Sequence, residues 1–169
     1  MTIADLLVDA FGRIRETVSD TVYGLTPEQL AHRIDTDANP IGWLVWHLTR
    51  VQDHHVSELL DEEQIWTSDD RWAKRCGLEP DPHNTGYGHS ADDVATVRPD
   101  APDALLGYLT AVDQRTQRML AGLRDDELDR IVDRRWDPPV TLGVRLISIA
   151  DDCLQHVGQA AYLRGLLGA

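Results

Sequence analysis

Apolar residues return at helical spacing in four long stretches of this chain. From about Ile3 to Val22, the side chains of Leu6, Leu7, Ala10, Ile14 and Val18 fall roughly on one stripe, the period of an amphipathic helix. A second stretch opens with Asn39 as N-cap and Pro40 at the first helical position, and runs to about Leu60. Its inward positions are Leu44, Leu48, Val51, His55 and Leu59, with His47 between Leu44 and Val51. A third covers Pro102 to Leu123, with Leu105, Leu109, Val112, Thr116 and Met119/Leu120 inward, and a fourth runs from about Leu142 to Leu167 with Thr141 as its cap. Between the first two, Thr26, Pro27 and Gln29 form a capping box that predicts a short connecting helix. The segment "DDELDRIV" reads as a helical turn, "RRWDPPV" as a break, and no strand alternation survives beyond a few residues.

The stretch from Trp66 to Asp100 is different. It is rich in Gly, Pro, Asp and Asn, and predicts an ordered loop with one short helix capped by Ser90, packed by Trp66, Trp72 and Tyr87. A loop of this length in a small domain usually carries function. Four helices of roughly twenty residues, each about 30 Å long, joined by one long connection between the second and third, predict an all-α fold: a four-helix bundle forming a single domain over residues 1–169.

Candidate chemistry sits on the fourth helix. Asp152 and His156 are four residues apart, so they share a face, beside the apolar Ile149, Cys153, Ala160 and Leu163. A polar pair among apolar neighbours needs a hydrogen bond, a water or a metal to satisfy it. A catalytic zinc site takes three protein ligands and leaves one position open. The third ligand must then cross the bundle from another helix, and His47 is the best placed, although a satisfied core histidine explains it equally well. His54 and His55 are further candidates, with half-buried packing the better explanation for His55. His83 and His89 lie in the loop and are expected to face solvent, with His89 able to reach the mouth of a site. Cys153 points about 100° away from Asp152 and is expected to be a small core residue.

Charge narrows the partners. The formal net charge of −13 argues against nucleic acid and anionic membrane, both of which would repel the chain. No apolar run reaches the ~18 residues of a membrane span, and the acidic start "MTIADLLVDA" lacks the basic region of a signal peptide. Two cysteines, Cys76 and Cys153, imply no disulfide framework, so a cytoplasmic location is expected. One lysine against fifteen arginines hints at a GC-rich, for example actinobacterial, genome.

The segments "NPIGWLVWHLTRVQDHH", "TGYGHSADDVATVR" and "TLGVRLISIADDCLQHVGQAAYLRGLL" together resemble the DinB-like superfamily of four-helix-bundle metalloproteins. The resemblance covers nearly the whole chain and is closer to the mycothiol-dependent branch. That branch includes mycothiol S-transferases and the metal-binding domain of mycothiol-dependent maleylpyruvate isomerase. The most specific element is a histidine in W-L-x-W-H followed on the last helix by an acid-x-x-x-His-x-Gly pair, which falls on His47, Asp152 and His156 as metal ligands. The branch usually has glutamate where this chain has Asp152; the shorter side chain either draws the helix closer or binds more weakly. The chain is expected to lack the isomerase's extra C-terminal domain, which favours a stand-alone transferase.

The resemblance implies a divalent metal, zinc first and nickel, manganese or iron as the other candidates. It also implies mycothiol as cosubstrate and an electrophilic second substrate conjugated in detoxification, with pairing into a homodimer. On such a site a thiol is ionised and attacks an electrophilic carbon. The middle loop would shape the electrophile pocket, and Arg50 is expected to be solvated at the surface or to meet polar parts of the thiol. Two other classes stay open at this point: a non-catalytic metal-binding or stress-associated helical bundle, and a metal-dependent hydrolase acting through bound hydroxide.

Overall fold

In a computed structural model describing residues 1–169, four long helices form the expected bundle: α1 (Ile3–Val22), α3 (Ile41–Leu60), α7 (Pro102–Ala121) and α8 (Leu142–Leu167), with α2 (Pro27–Leu30) linking the first two. They pack in the cyclic order α1, α8, α3, α7. The capping box of Thr26 and Gln29 forms as expected, and a second one, of Thr2 and Asp5, opens α1. Thr141 accepts from the Val144 amide at the start of α8. Apart from Leu6, which is exposed, the stripes meet in one core that includes Phe11, Ile14, Leu44, Leu48, Leu109, Leu146 and Ile149. Each such side chain contributes about 1.5–3 kcal/mol through burial.

Three local readings need correction. Pro40 is the N-cap of α3, not its first residue: its ψ of 162° is extended while its carbonyl already accepts from Leu44, as an N-cap carbonyl does, and Asn39 caps nothing. The third helix stops at Ala121. The break "RRWDPPV" closes an antiparallel hairpin, β1 (Ile131–Asp133) with β2 (Val140–Thr141), whose strands are too short for alternation to show.

The long connection between α3 and α7 holds three short helices where one was expected: α4 (Ile65–Ser68), α5 (Arg71–Arg75) and α6 (Ala91–Thr96), the last capped by Ser90. It lies over the N-terminal half of α3, so every residue from Ile41 to Arg50 is buried, not only one stripe. That wrapping positions the candidate site. Cys76 and Cys153 are unpaired and fully buried, and Cys153 Sγ faces the Leu48 carbonyl at 3.6 Å. Burial pushes both thiols up, Cys76 to about 12. No helix is long and apolar enough to cross a membrane.

Candidate metal centre

Because α3 and α8 pack side by side, His47 of one meets Asp152 and His156 of the other. The Oδ1 atom of Asp152 is 3.9 Å from His47 Nε2 and 3.6 Å from His156 Nε2, and one ligating atom from each of the three side chains lies within 4.8 Å of the others. Ligand atoms held tetrahedrally at about 2.1 Å from an ion would be about 3.4 Å apart, so a small contraction closes the set. The three residues named from the sequence are thus brought together.

The hydrogen bonds behind these side chains decide what their facing atoms can do. His47 Nδ1 donates to the Thr85 carbonyl at 2.6 Å, and His156 Nδ1 donates to Gln159 Oε1 at 3.0 Å. Each neutral ring therefore carries its proton on Nδ1 and turns an Nε2 lone pair toward Asp152, the outer-contact pattern of metal-binding histidines. The other carboxylate oxygen, Asp152 Oδ2, is buried with no hydrogen-bond partner. Two convergent lone pairs and an orphaned carboxylate oxygen fit a divalent cation. Burial is the main influence on His47 and lowers its pKa. The adjacent Asp152 carboxylate, which favours the protonated ring, leads for His156 and raises its pKa.

The ring of His47 is clamped on two further sides. Trp43, one helical turn earlier, stacks on it at 4.6 Å and 12° between planes. Gly86 comes so close that a Cβ there would sit 2.8 Å from His47 Nδ1 and 2.9 Å from the Trp46 ring. Gly86 also has φ +91°, a backbone shape that other residues rarely adopt. Next to it, His89 is half-buried, accepting from Trp43 Nε1 at 3.2 Å and donating to Asn84 Oδ1 at 2.9 Å. It is a brace for the loop, not a solvent-facing side chain.

A cavity of about 400 Å³ opens beside the cluster, bounded by His47, Val51, His54, His83, Ser148 and Asp152 among others. Exposed His83 and Tyr87 stand at its edge. His54, His55 and Glu58 form a second group of potential ligands within the same 4.8 Å limit. Arg50 departs most from expectation: it is fully buried and faces neither solvent nor the cavity. Sequence reasoning missed Trp43, Thr85, Gly86 and Gln159. Trp43 at four residues before His47, and Gln159 at three after His156, share the ligand faces and could have been read from spacing; a backbone carbonyl such as that of Thr85 leaves no such signal.

A model of the mycothiol-S-transferase family matches residues 6–169 of this chain. Among solved structures, it is similar to a conserved protein from Enterococcus faecalis, with 28% identity, a TM-score of 0.90, and coverage of 100% of this chain and 99% of that one. No curated protein matches it.

Proposed function

Because the chain belongs to the mycothiol-S-transferase family, we propose that it is a divalent-metal-dependent S-transferase that conjugates a low-molecular-weight thiol, mycothiol first, to an electrophile. His47, Asp152 and His156 are the residues that would hold the ion. A bound divalent ion, with zinc the leading candidate, would lower the pKa of a thiol in the cavity from its free value of about 8.5, so that the nucleophilic thiolate is present at neutral pH.

The protein's own contribution is orientation and access. Thr85 and Gln159 hold the two imidazoles with Nε2 turned inward. Trp43 and Gly86 prevent the His47 ring from rotating away. The cavity beside the cluster has room for reacting groups next to Asp152, and its histidine, Thr85 and Ser148 lining offers hydrogen bonds to a polar thiol. The observation that carries this reading is the convergence of two Nε2 lone pairs and an unpartnered carboxylate oxygen at the wall of an open cavity.

The test follows consumption of a generic electrophile by the metal-loaded protein with mycothiol, with glutathione or cysteine, and with no thiol, each before and after chelation. The expected result is turnover that needs both metal and thiol and is fastest with mycothiol. Turnover without thiol would replace this reading with hydrolysis. Rates indifferent to chelation would overturn the metal dependence, and no turnover would leave a non-catalytic bundle.

A further inference from the structure

Arg50 is a buried cation whose five N–H donors are all engaged. Its Nε donates to the Asn84 carbonyl at 3.0 Å. Nη2 donates to the carbonyls of Asp81 and Pro82 at 3.4 and 3.1 Å. Nη1 donates to Gln64 Oε1 at 2.9 Å and to the Tyr108 hydroxyl at 3.1 Å. Asp53, itself fully buried, balances the charge at 3.6 Å, and the guanidinium lies over Trp66 at 5.0 Å. A planar five-donor fork can meet this set of acceptors; an ammonium cannot. So complete a set of partners leaves nothing for a ligand, and it compensates the cost of burying the charge.

The acceptors lead in two directions. The carbonyls of Asp81, Pro82 and Asn84 belong to the loop whose next residue, Thr85, accepts from His47 Nδ1. In the other direction, the Arg50 bond to Gln64 Oε1 sets which way that amide points. Its Nε2 then donates to the Pro82 carbonyl at 3.2 Å and to His54 Nδ1 at 3.1 Å. His54 Nδ1 must accept, so the ring proton of neutral His54 is on Nε2. His47 and His54 bound the same cavity with opposite tautomers: His47 Nε2 is a lone pair, His54 Nε2 is a donor.

We propose that Arg50 is a positioning residue that fixes both tautomers, keeping His47 Nε2 free as a ligand atom through the Asp81–Thr85 loop and making His54 an N–H donor through Gln64. The tautomer claim stands on the metal-free chain; only its consequence for metal affinity rests on the proposed function.

The experiment uses metal-free protein with 15N-labelled histidine, above the pH at which imidazoles are charged. Long-range 1H–15N correlations show which ring nitrogen carries the proton, with His47→Gln and His54→Gln assigning the signals. Wild type is expected to show a single Nδ1–H form for His47 and a single Nε2–H form for His54. In Arg50→Lys both should become mixtures, and affinity for zinc, measured by competition with a chelator, should fall about tenfold to a hundredfold, as when an outer contact of a ligand is lost. Gln64→Leu, which leaves the loop carbonyls of Arg50 in place, should release the tautomer of His54 alone and reports even if Arg50→Lys does not fold. Retention of either wild-type tautomer in folded Arg50→Lys, or of the His54 tautomer in Gln64→Leu, overturns the proposal. A wild type with these tautomers but no affinity for zinc would overturn the proposed function and leave the role of Arg50 standing.

Discussion

His47 and His55 stand about two turns apart on α3, each near a carboxylate and each at the wall of the same cavity. Measured only by separation, the His47–Asp152–His156 and His54–His55–Glu58 groups are equivalent. Their hydrogen bonds are opposite. In the first, ring N–H groups donate outward to oxygen and the lone pairs converge. In the second, donors consume the lone pairs: Gln64 Nε2 faces His54 Nδ1, and Arg145 Nη1 donates to His55 Nε2 at 3.3 Å. Arg145 also places a guanidinium, paired with Asp133 at 2.8 Å, where a metal cation would have to approach. Proximity of donor atoms does not separate the two groups; the partner of the other ring nitrogen does.

The largest test of this contrast is metal content. His156→Ala should abolish stable binding of about one zinc ion per chain, while His55→Ala should retain it with the helical circular dichroism of both variants kept. Loss of the ion from His55→Ala would break the distinction. The carboxylates give a graded version. Asp152→Asn removes the anionic oxygen a divalent ion prefers and should weaken zinc affinity by about tenfold or more, whereas Glu58→Gln, and Asp151→Asn on the exposed side of α8, should leave it nearly unchanged. Equal losses from Asp152→Asn and Glu58→Gln would assign both groups the same role.

The smallest effect is on stability. Burial first, and then the positive charge of Arg145, pull the pKa of His55 down to about 4, while in the unfolded chain it is about 6.5. Between those values the unfolded state binds the proton and the folded state does not. The contribution of His55 is therefore complete above about pH 6.5 and is lost as pH falls toward 4. Chemical denaturation should show wild type losing ~1–3 kcal/mol more than His55→Gln between neutral pH and about pH 4.5. Parallel pH profiles would mean that the ring takes up its proton as readily in the folded protein as in the unfolded chain, and the contrast with the candidate metal cluster would then be one of charge as well as wiring.

Much of this architecture is legible in the sequence because it repeats. The helix stripes, the Thr26–Gln29 box and the Thr141 cap are local patterns that tertiary packing reinforced. The shared face of Asp152 and His156 was readable because a helix brings residues four apart together, whereas His54 and His55 lie on the same helix as His47, and only the family resemblance singled His47 out to meet that pair. What sequence could not show is non-local and carried by the backbone. The Thr85 carbonyl and the approach of Gly86 depend on how the long connection lies over α3. Arg50 was misread for the same reason: an arginine on a helix is normally solvated, and nothing in its own neighbourhood announces that five residues of the connection and Tyr108 close around it. The hairpin at Ile131–Asp133 escaped because two or three residues are too few for a period.

The two thiols sealed in the core have a bearing on the chemical durability of the protein. Under the proposed function the protein would be exposed to its own electrophilic substrates, and cysteine sulfur is the side-chain atom that reacts with them most readily. Cys76 and Cys153 are out of reach of solvent, and burial suppresses their ionisation, so in the folded state neither offers a thiolate to an electrophile. This immunity lasts only while the bundle stays closed. Each transient opening of the core would offer a sulfur to permanent alkylation, so under the proposed function the resistance of the chain to unfolding would also set how many turnovers a molecule survives.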